Sequence, residues 1–256
     1  MINQKKIAVA IPTKNNIRTI EETLKSIKGL SDYLLIIDSG STDGTIELCE
    51  TYGAEIIAKD WPGMVKQRQL CIDSCRDYDW ILLLDSDESI DEELKHAIQN
   101  VVAVNDSSFD AYAFNRKIWF LDGWLHNVFQ PEFRLRLVRG GVAKVEGKGE
   151  EGKGGHDRIE VKGKVGKING TCKHDSWVDT ADMMNRYVEL GKRAALYDPK
   201  PTTKINLLIN PLSAFIKQYF IKGGIKDGHR GFVASAGCAA GTLIKHLLKI
   251  SNKNRE

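Results

Sequence analysis

Trp80-Ile-Leu-Leu-Leu-Asp85-Ser86-Asp87-Glu88 is a run of apolar residues that stops at two aspartates one residue apart. A short apolar run without polar alternation predicts a strand buried on both faces of a parallel sheet. Open α/β sheets bind ligands at the carboxyl ends of their strands, so Asp85 and Asp87 are expected at a site. Two carboxylates held together are costly unless a cation neutralises them. A divalent metal carrying a diphosphate is the natural candidate, because Mg²⁺ and Mn²⁺ take one or two carboxylates plus substrate phosphates. Asp87, helped by Asp85, is the expected metal ligand. Acidic pairs also cap helices and fill solvated turns, so the flanking chain has to decide between the readings.

Upstream, Ile7–Ile11, Leu34–Ile37 and Glu55–Ala58 read as three further strands. Between them, Ile20, Leu24 and Ile27 recur at helical spacing before Gly29. A second helix, capped by Thr42 or Asp43, runs towards Gly53, and Met64–Cys75 makes a third. This β-α-β-α-β-α-β order predicts a right-handed, Rossmann-like, doubly wound sheet whose first half binds a nucleotide. The loop Pro12-Thr-Lys-Asn-Asn16 has no glycines, which removes the main support for dinucleotide dehydrogenases and P-loop enzymes. A literal G-x-G-x-x-G at Gly147, Gly149 and Gly152 contains Glu150 and Glu151, which would repel a pyrophosphate, and it reads as chance. Asp38, at the end of the second strand, either accepts hydrogen bonds from a nucleoside or closes an ordinary turn. Lys66 and Arg68 open the third helix, as an anion site or as a solvated basic face.

Downstream the pattern loosens. Leu94, Ile98, Val101 and Val102 give another amphipathic helix, Ala111–Phe120 a strand, Gly140–Gly170 turns and short strands, and Thr180–Tyr197 a helix. With 256 residues, the expected organisation is one α/β domain over 1–200, with a nucleotide-binding half (1–90) and a second half (91–200), followed by a helical tail over 201–256. A net charge of only +3 argues against nucleic acid as a partner. Five cysteines without Cys-x-x-Cys spacing argue against a disulfide framework or a zinc ribbon. The start leads into a strand with no signal-peptide apolar region, so the expected location is the cytoplasm. From Lys204 onward, seven Lys and two Arg face two acidic residues. Phe215, Tyr219 and Phe220 alternate there with Lys217 and Lys222. The uncharged stretch Gly231–Ile244 is 14 residues long, short of the roughly 20 that span a bilayer. The tail is expected to lie peripherally on the inner face of the cytoplasmic membrane, or else to pack on the domain or in a homodimer interface.

In this order, Ile11-Pro-Thr-Lys-Asn15, Asp38-Ser-Gly-Ser-Thr-Asp43-Gly-Thr, Lys66-Gln-Arg68 and Leu84-Asp85-Ser-Asp87-Glu resemble the sugar-nucleotide-binding half of family 2 inverting glycosyltransferases, which have the GT-A fold. The resemblance implies that Pro12, Thr13, Lys14, Asn15 and Asp38 hold the nucleoside of a nucleoside-diphosphate sugar. It also implies that Lys66, Arg68 and Asp85 lie near the diphosphate, and that the Asp-x-Asp binds the metal. Asn16 stands where the family usually has an acidic residue. Further along, Pro131-Glu132, Arg136-Leu-Val-Arg139, His156-Asp157, Val161-Lys-Gly163-Lys-Val-Gly166 and His174-Asp-Ser-Trp177 are similar to the lipopolysaccharide-core subgroup that adds a β-linked hexose, often glucose, to a heptose. Tyr219–Gly228 is similar to that subgroup's carboxyl-terminal segment.

The subgroup resemblance implies a UDP-glucose donor and a lipopolysaccharide core or other lipid-linked glycan acceptor. It makes residues 1–90 a nucleotide-sugar half and residues 91–200 an acceptor half. Arg136, His156 and His174 then lie on the acceptor side, although His174 serves equally as a satisfied structural histidine. Inversion needs a base to take the acceptor proton and positive charge at the leaving phosphate. Asp157 stands where the subgroup carries its His-Glu pair and is the preferred base, with Glu150 and Glu151 as rivals. Three other readings compete. A sugar nucleotidyltransferase would carry a glycine-rich first loop, a glycoside hydrolase would not need the nucleotide half, and a membrane-docked sugar-nucleotide-binding protein would lack turnover.

Overall fold

The computed structural model describes residues 6–104, 107–147, 157–198 and 200–253. Glu150, Glu151 and His156, with Gly149 and Gly152, lie outside these residues. The fold is α/β and of the GT-A type, a mixed sheet followed by carboxyl-terminal helices. The chain divides into two compact units, one of Met1–Arg116, Phe133–Glu146 and Asp157–His174, the other of Lys117–Glu132, Gly147–His156 and Asp175–Glu256.

The first unit contains the nucleotide half in the expected order: β1 (Ile7–Thr13), α1 (Ile20–Ser26), β2 (Tyr33–Asp38), α2 (Thr45–Thr51), β3 (Glu55–Ala58), α3 (Met64–Ser74) and β4 (Trp80–Leu83). These strands lie side by side as β3-β2-β1-β4, all parallel. Both faces are covered, which is why the strands read as unbroken apolar runs. Val9, Ile11, Ile36 and Leu82 pack with Ile20 and Leu24 of α1. Ala8, Ala10, Leu35, Ile37, Ile81 and Leu83 pack with Cys71 and Ile72 of α3. β1 continues through Pro12 and Thr13, which the sequence placed in the loop. Its pairing with β4 stops at Ala10, so the missing N–H of Pro12 faces no strand on that side.

The sheet then changes direction. After β5 (Glu88–Ile90), α4 (Glu92–Val104), β6 (Ala111–Phe120) and β7 (Gly123–Trp124), strand β8 (Phe133–Arg139) inserts antiparallel between β4 and β6. β9 (Ala143–Glu146) pairs with β10 (Arg158–Val161) as a separate ribbon. β11 (Val165–His174) completes the sheet against β5, giving β3-β2-β1-β4-β8-β6-β11-β5. Neither β5 nor β8 was expected from the sequence. β8 alternates Arg134, Arg136 and Val138 with Leu135, Leu137 and Arg139, and that charge conceals a strand whose Arg136, Leu137 and Val138 are buried.

In the second unit, α5 (Thr180–Tyr197) starts at Asp179, whose side chain accepts from the Asp182 N–H at 2.8 Å. It is followed by α6 (Asn206–Ile216), a wider π-turn over Lys217–Ile221, a tight turn over Gly224–Asp227 and α7 (Gly228–Lys253). The tail expected from 201 thus shares its unit with α5. α7 lies tightly against α5, because a Cβ at Gly241 would come within 2.6 Å of the Tyr187 ring and one at Gly237 within 2.3 Å of Met183. Asp227 holds the turn before α7. Its carboxylate accepts from the backbone N–H groups of His126, Asn127 and Val128 at 2.9–3.0 Å. Burial pushes that carboxyl up, but these donors outweigh it and hold the group below its ordinary value.

The uncharged Gly231–Ile244 stretch belongs to a much longer helix than its 14 residues suggested. Among the described residues, Gly224–Ser251 is long and apolar enough to cross a membrane by length and composition, and 33% of its most apolar window is buried.

Candidate active site at the carboxyl end of the parallel strands

Two loops meet where β1 and β2 end. Asn15 has φ +51°, a left-handed conformation that Asn tolerates better than most residues. From there its Oδ1 accepts from the Thr42 N–H at 2.8 Å, while its own N–H donates to Ser41 Oγ at 2.9 Å. Asp38 is buried and accepts from the Gly40 and Ser41 N–H groups and from the Ser41 hydroxyl. The Asp38 carboxylate therefore closes its own loop, and Asn15 ties that loop to the first. Lys14 is exposed beside them, and Pro12 and Thr13 are buried in β1. Asp43, rather than capping through N2 or N3, accepts from the Thr45 N–H and hydroxyl and from the Ile17 N–H.

The Asp85-Ser86-Asp87 turn is fixed from the same side. Asn16 Nδ2 donates to Ser86 Oγ at 2.6 Å, and the hydroxyls of Thr19 and Thr23 on α1 donate to the Ser86 carbonyl at 3.0 and 3.2 Å. Asn16, which stands where the resemblance leads one to expect an acidic residue, makes this contact as a neutral amide donor.

Beneath the turn lies a buried ion cluster that the sequence did not reveal. Arg136 Nη2 reaches Asp85 Oδ2 and Glu88 Oε1, both at 2.7 Å, while its Nε donates to Glu88 Oε2 at 3.0 Å. Arg116 Nη1 lies 3.1 Å from Glu88 Oε1. Arg68 Nη2 holds Asp85 Oδ1 and Oδ2 at 2.5 and 2.6 Å, and its Nη1 pairs with Asp157 Oδ2. Burial raises the Asp85 carboxyl, but Arg136 and Arg68 overcome it and hold the group far below the usual carboxylate range. The Glu88 carboxyl is likewise lowered, burial being outweighed chiefly by Arg136 and also by Arg116. Arg136, expected at the acceptor, sits inside this cluster.

The structure brings Asp38, Arg68, Asp85, Asp87, Asp157 and His174 into one unit and leaves Lys66 on the exposed part of α3. Glu88, Arg116 and Ser86 are the members that sequence reasoning passed over. The one available signal was the polar run Asn115-Arg116-Lys117 within an otherwise apolar strand.

Glu88 offers a direct test of the cluster. Replacing it with Gln removes the fully buried carboxylate charge that both Arg116 and Arg136 contact. Glu88→Gln is expected to cost about 3–5 kcal/mol of folding stability, seen as a lower denaturant midpoint. The folded pKa values of Asp85 and Glu88 lie below those of the unfolded chain. Their contribution is therefore full above the unfolded carboxylate range, about pH 4, and drains away as pH falls below it.

His174 ends β11 opposite Glu88, which carries its Nε2 to 3.4 Å from Asp87 Oδ2. Asp87 is not engaged by the arginines that occupy Asp85. The described residues contain no group of three or more His, Cys, Asp or Glu side chains able to enclose a metal. What they offer is an oxygen and a nitrogen donor converging on one point, which fits a Mg²⁺ or Mn²⁺ ion completed by diphosphate oxygens. Asp87 and His174 would hold such an ion. Asp85 instead anchors the turn to Arg68 and Arg136.

The Glycosyl transferase family 2 model matches residues 8–145 of the chain. An uncharacterized glycosyltransferase of Rickettsia prowazekii (strain Madrid E) is 26% identical over 240 residues, covering 90% of this chain and 82% of the relative. The lipopolysaccharide core biosynthesis glycosyltransferase LpsC of Rhizobium meliloti (strain 1021) is 26% identical over 217 residues, 78% of this chain and 76% of that protein. Among solved structures, the mannosyltransferase PcManGT from Pyrobaculum calidifontis, in complex with GDP-Man and Mn²⁺, is similar with a TM-score of 0.53 at 13% identity, over 98% of this chain and 89% of that one. That likeness concerns the fold.

Proposed function

Because the chain belongs to glycosyl transferase family 2, and so transfers sugar from a nucleotide sugar, we propose that it is an inverting, metal-dependent hexosyltransferase acting on a lipopolysaccharide core or another lipid-linked glycan, with UDP-glucose as donor. The observation that carries this reading is the convergence of Asp87 and His174 beside the Arg68–Asp157 pair at the carboxyl end of β4. The acceptor class draws its support from the likeness to LpsC over most of the chain.

The residues divide the work as follows. Asp38, Asn15 and their loops present the nucleoside with preformed backbone geometry. Asp87 and His174 would hold a divalent ion, which when bound would supply positive charge at the departing phosphate. Arg68, shared by Asp85 and Asp157, is drawn to the diphosphate in competition with them, since Arg–phosphate bonds are charge-assisted and bidentate. Asp157, relieved of its ion pair, then accepts the proton of the acceptor hydroxyl as that oxygen attacks the anomeric carbon and the carbon–phosphate oxygen bond breaks. Glu88, Arg116 and Arg136 keep the floor of the site rigid.

Thermal melts with UDP-, GDP- and ADP-sugars, with and without Mn²⁺, test the reading. A donor present at a hundredfold over its dissociation constant stabilises a protein of this size by roughly 5–10 °C. That shift is expected for UDP-glucose with Mn²⁺ only, with UDP released when acceptor is added. Equal shifts without metal, or none for any nucleotide sugar, would refute it.

A further inference from the structure

We propose that the face formed by α6 and the turns after it docks on an anionic lipid bilayer, lying in its interface without crossing it. This rests on the second unit alone and is independent of the donor chemistry. Ile205, Leu208, Ile209, Leu212 and Ile216 recur at i, i+3, i+4, i+7 and i+11, a single helical stripe. A helix in a water-soluble unit turns such a stripe inward. Here every member is exposed, Leu208 by 76% and Leu212 by 61%, and no residue of α6 is buried. The other side of α6 is the one in use, with Asn210 Nδ2 at 2.8 Å from His246 Nε2 on α7. Phe220, Ile221 (75% exposed) and Ile225 extend the apolar face through the turns. Phe215, Tyr219 and Phe232 pack beside it with ring centroids 5.3 Å (Phe215–Tyr219) and 5.7 Å (Tyr219–Phe232) apart. Tyr and other aromatic side chains suit the boundary between acyl chains and headgroups.

Charge selects the occupant. Residues 200–226 hold five lysines and no acidic residue, and the next acid, Asp227, is buried and held by backbone N–H groups. Lysine stems can lie along the apolar stripe while their ammonium groups reach phosphates. A second copy of the chain would set the same lysines against each other across a two-fold axis, which like-charge repulsion disfavours. Crossing the bilayer is excluded for α6 by its 11 residues, and α7 has its apolar surface partly covered within the unit.

Co-sedimentation of the full chain with vesicles tests this, using phosphatidylcholine alone against phosphatidylcholine with phosphatidylglycerol. Binding to the anionic vesicles is expected to be at least about tenfold tighter and to be lost near ~0.5 M salt. Leu208→Gln with Leu212→Gln should weaken it by on the order of a hundredfold, with an unchanged melting temperature because both side chains are exposed. Indifference of the unaltered chain to the anionic lipid would overturn the proposal, as would full binding by the double variant. Resistance to alkaline carbonate extraction would mean a spanning helix. A dimer in light scattering that the double variant abolishes, with no vesicle binding, would assign the face to a second copy.

Discussion

Asp87→Ala is expected to lower the rate of sugar transfer by about a thousandfold while leaving the fold intact. Its carboxylate takes no part in the arginine cluster, and its described neighbour is His174 at 3.4 Å, so the variant should melt within about 0.5 kcal/mol of the parent. What disappears with transfer is the Mn²⁺-dependent part of donor stabilisation. Asp85→Ala should behave in the opposite way. Its two oxygens neutralise Arg68 and Arg136, and removing them leaves buried guanidinium charge at a cost of about 3–5 kcal/mol. On the proposed function, one motif supplies a cation ligand at Asp87 and a structural counter-ion at Asp85. Measuring melting temperature and kcat on both variants separates the roles. An Asp87→Ala protein that transfers sugar at the parental rate would end the metal-assisted reading.

Asp157→Asn carries the second large effect, a fall in kcat of about 10²–10⁴-fold. The variant keeps the shape of the side chain and removes its capacity to accept a proton. Because Asp157 also pairs with Arg68, the measurement has to separate catalysis from positioning. A base lost from the acceptor side leaves donor affinity unchanged or improved, since Arg68 becomes freer to meet the diphosphate. Were Asp157 only an orienting partner for Arg68, donor affinity and kcat would fall together. Asp157→Glu, which keeps the carboxylate, should recover part of the rate only in the first case. Parental activity in Asp157→Asn would return attention to Glu150 and Glu151.

The parallel half of the fold was legible because the central strands β1 and β4 are buried on both faces and α1 shows its apolar spacing. Ile7–Ile11 and Trp80–Leu84 could be read directly as strands. β8 was hidden by its own arginines, since Arg136 lies in a strand position that periodicity assigns to solvent. Its burial makes sense only with Glu88 and Asp85 in view, and these come from distant parts of the chain. The same holds for His174, whose place beside Asp87 depends on the antiparallel register of β5 with β11. Local pattern reaches along one element, whereas a counter-ion is found across several. Asp38, Asn15 and the Asp-Ser-Asp turn could be named because each stands at or just past the end of a strand, where the topology itself brings them together, and Arg68 because it follows Lys66 near the start of α3. For the tail, the sequence reading caught the aromatic residues among lysines at 215–222 but not the apolar stripe of α6, because a stripe left facing solvent is told from a core-facing one only by what packs beside it.

The three hydrogen bonds converging on Ser86, from Asn16, Thr19 and Thr23, make one mechanical piece of the loop after β1 and the Asp85-Ser86-Asp87 turn. An engineer who grafts residues 12–16 from a homologue with another nucleotide preference would also shift the anchor of Asp87. On the proposed function, selectivity for the nucleotide and competence for the leaving group travel together, and a swap that carries the first loop without its serine and threonine partners inherits neither.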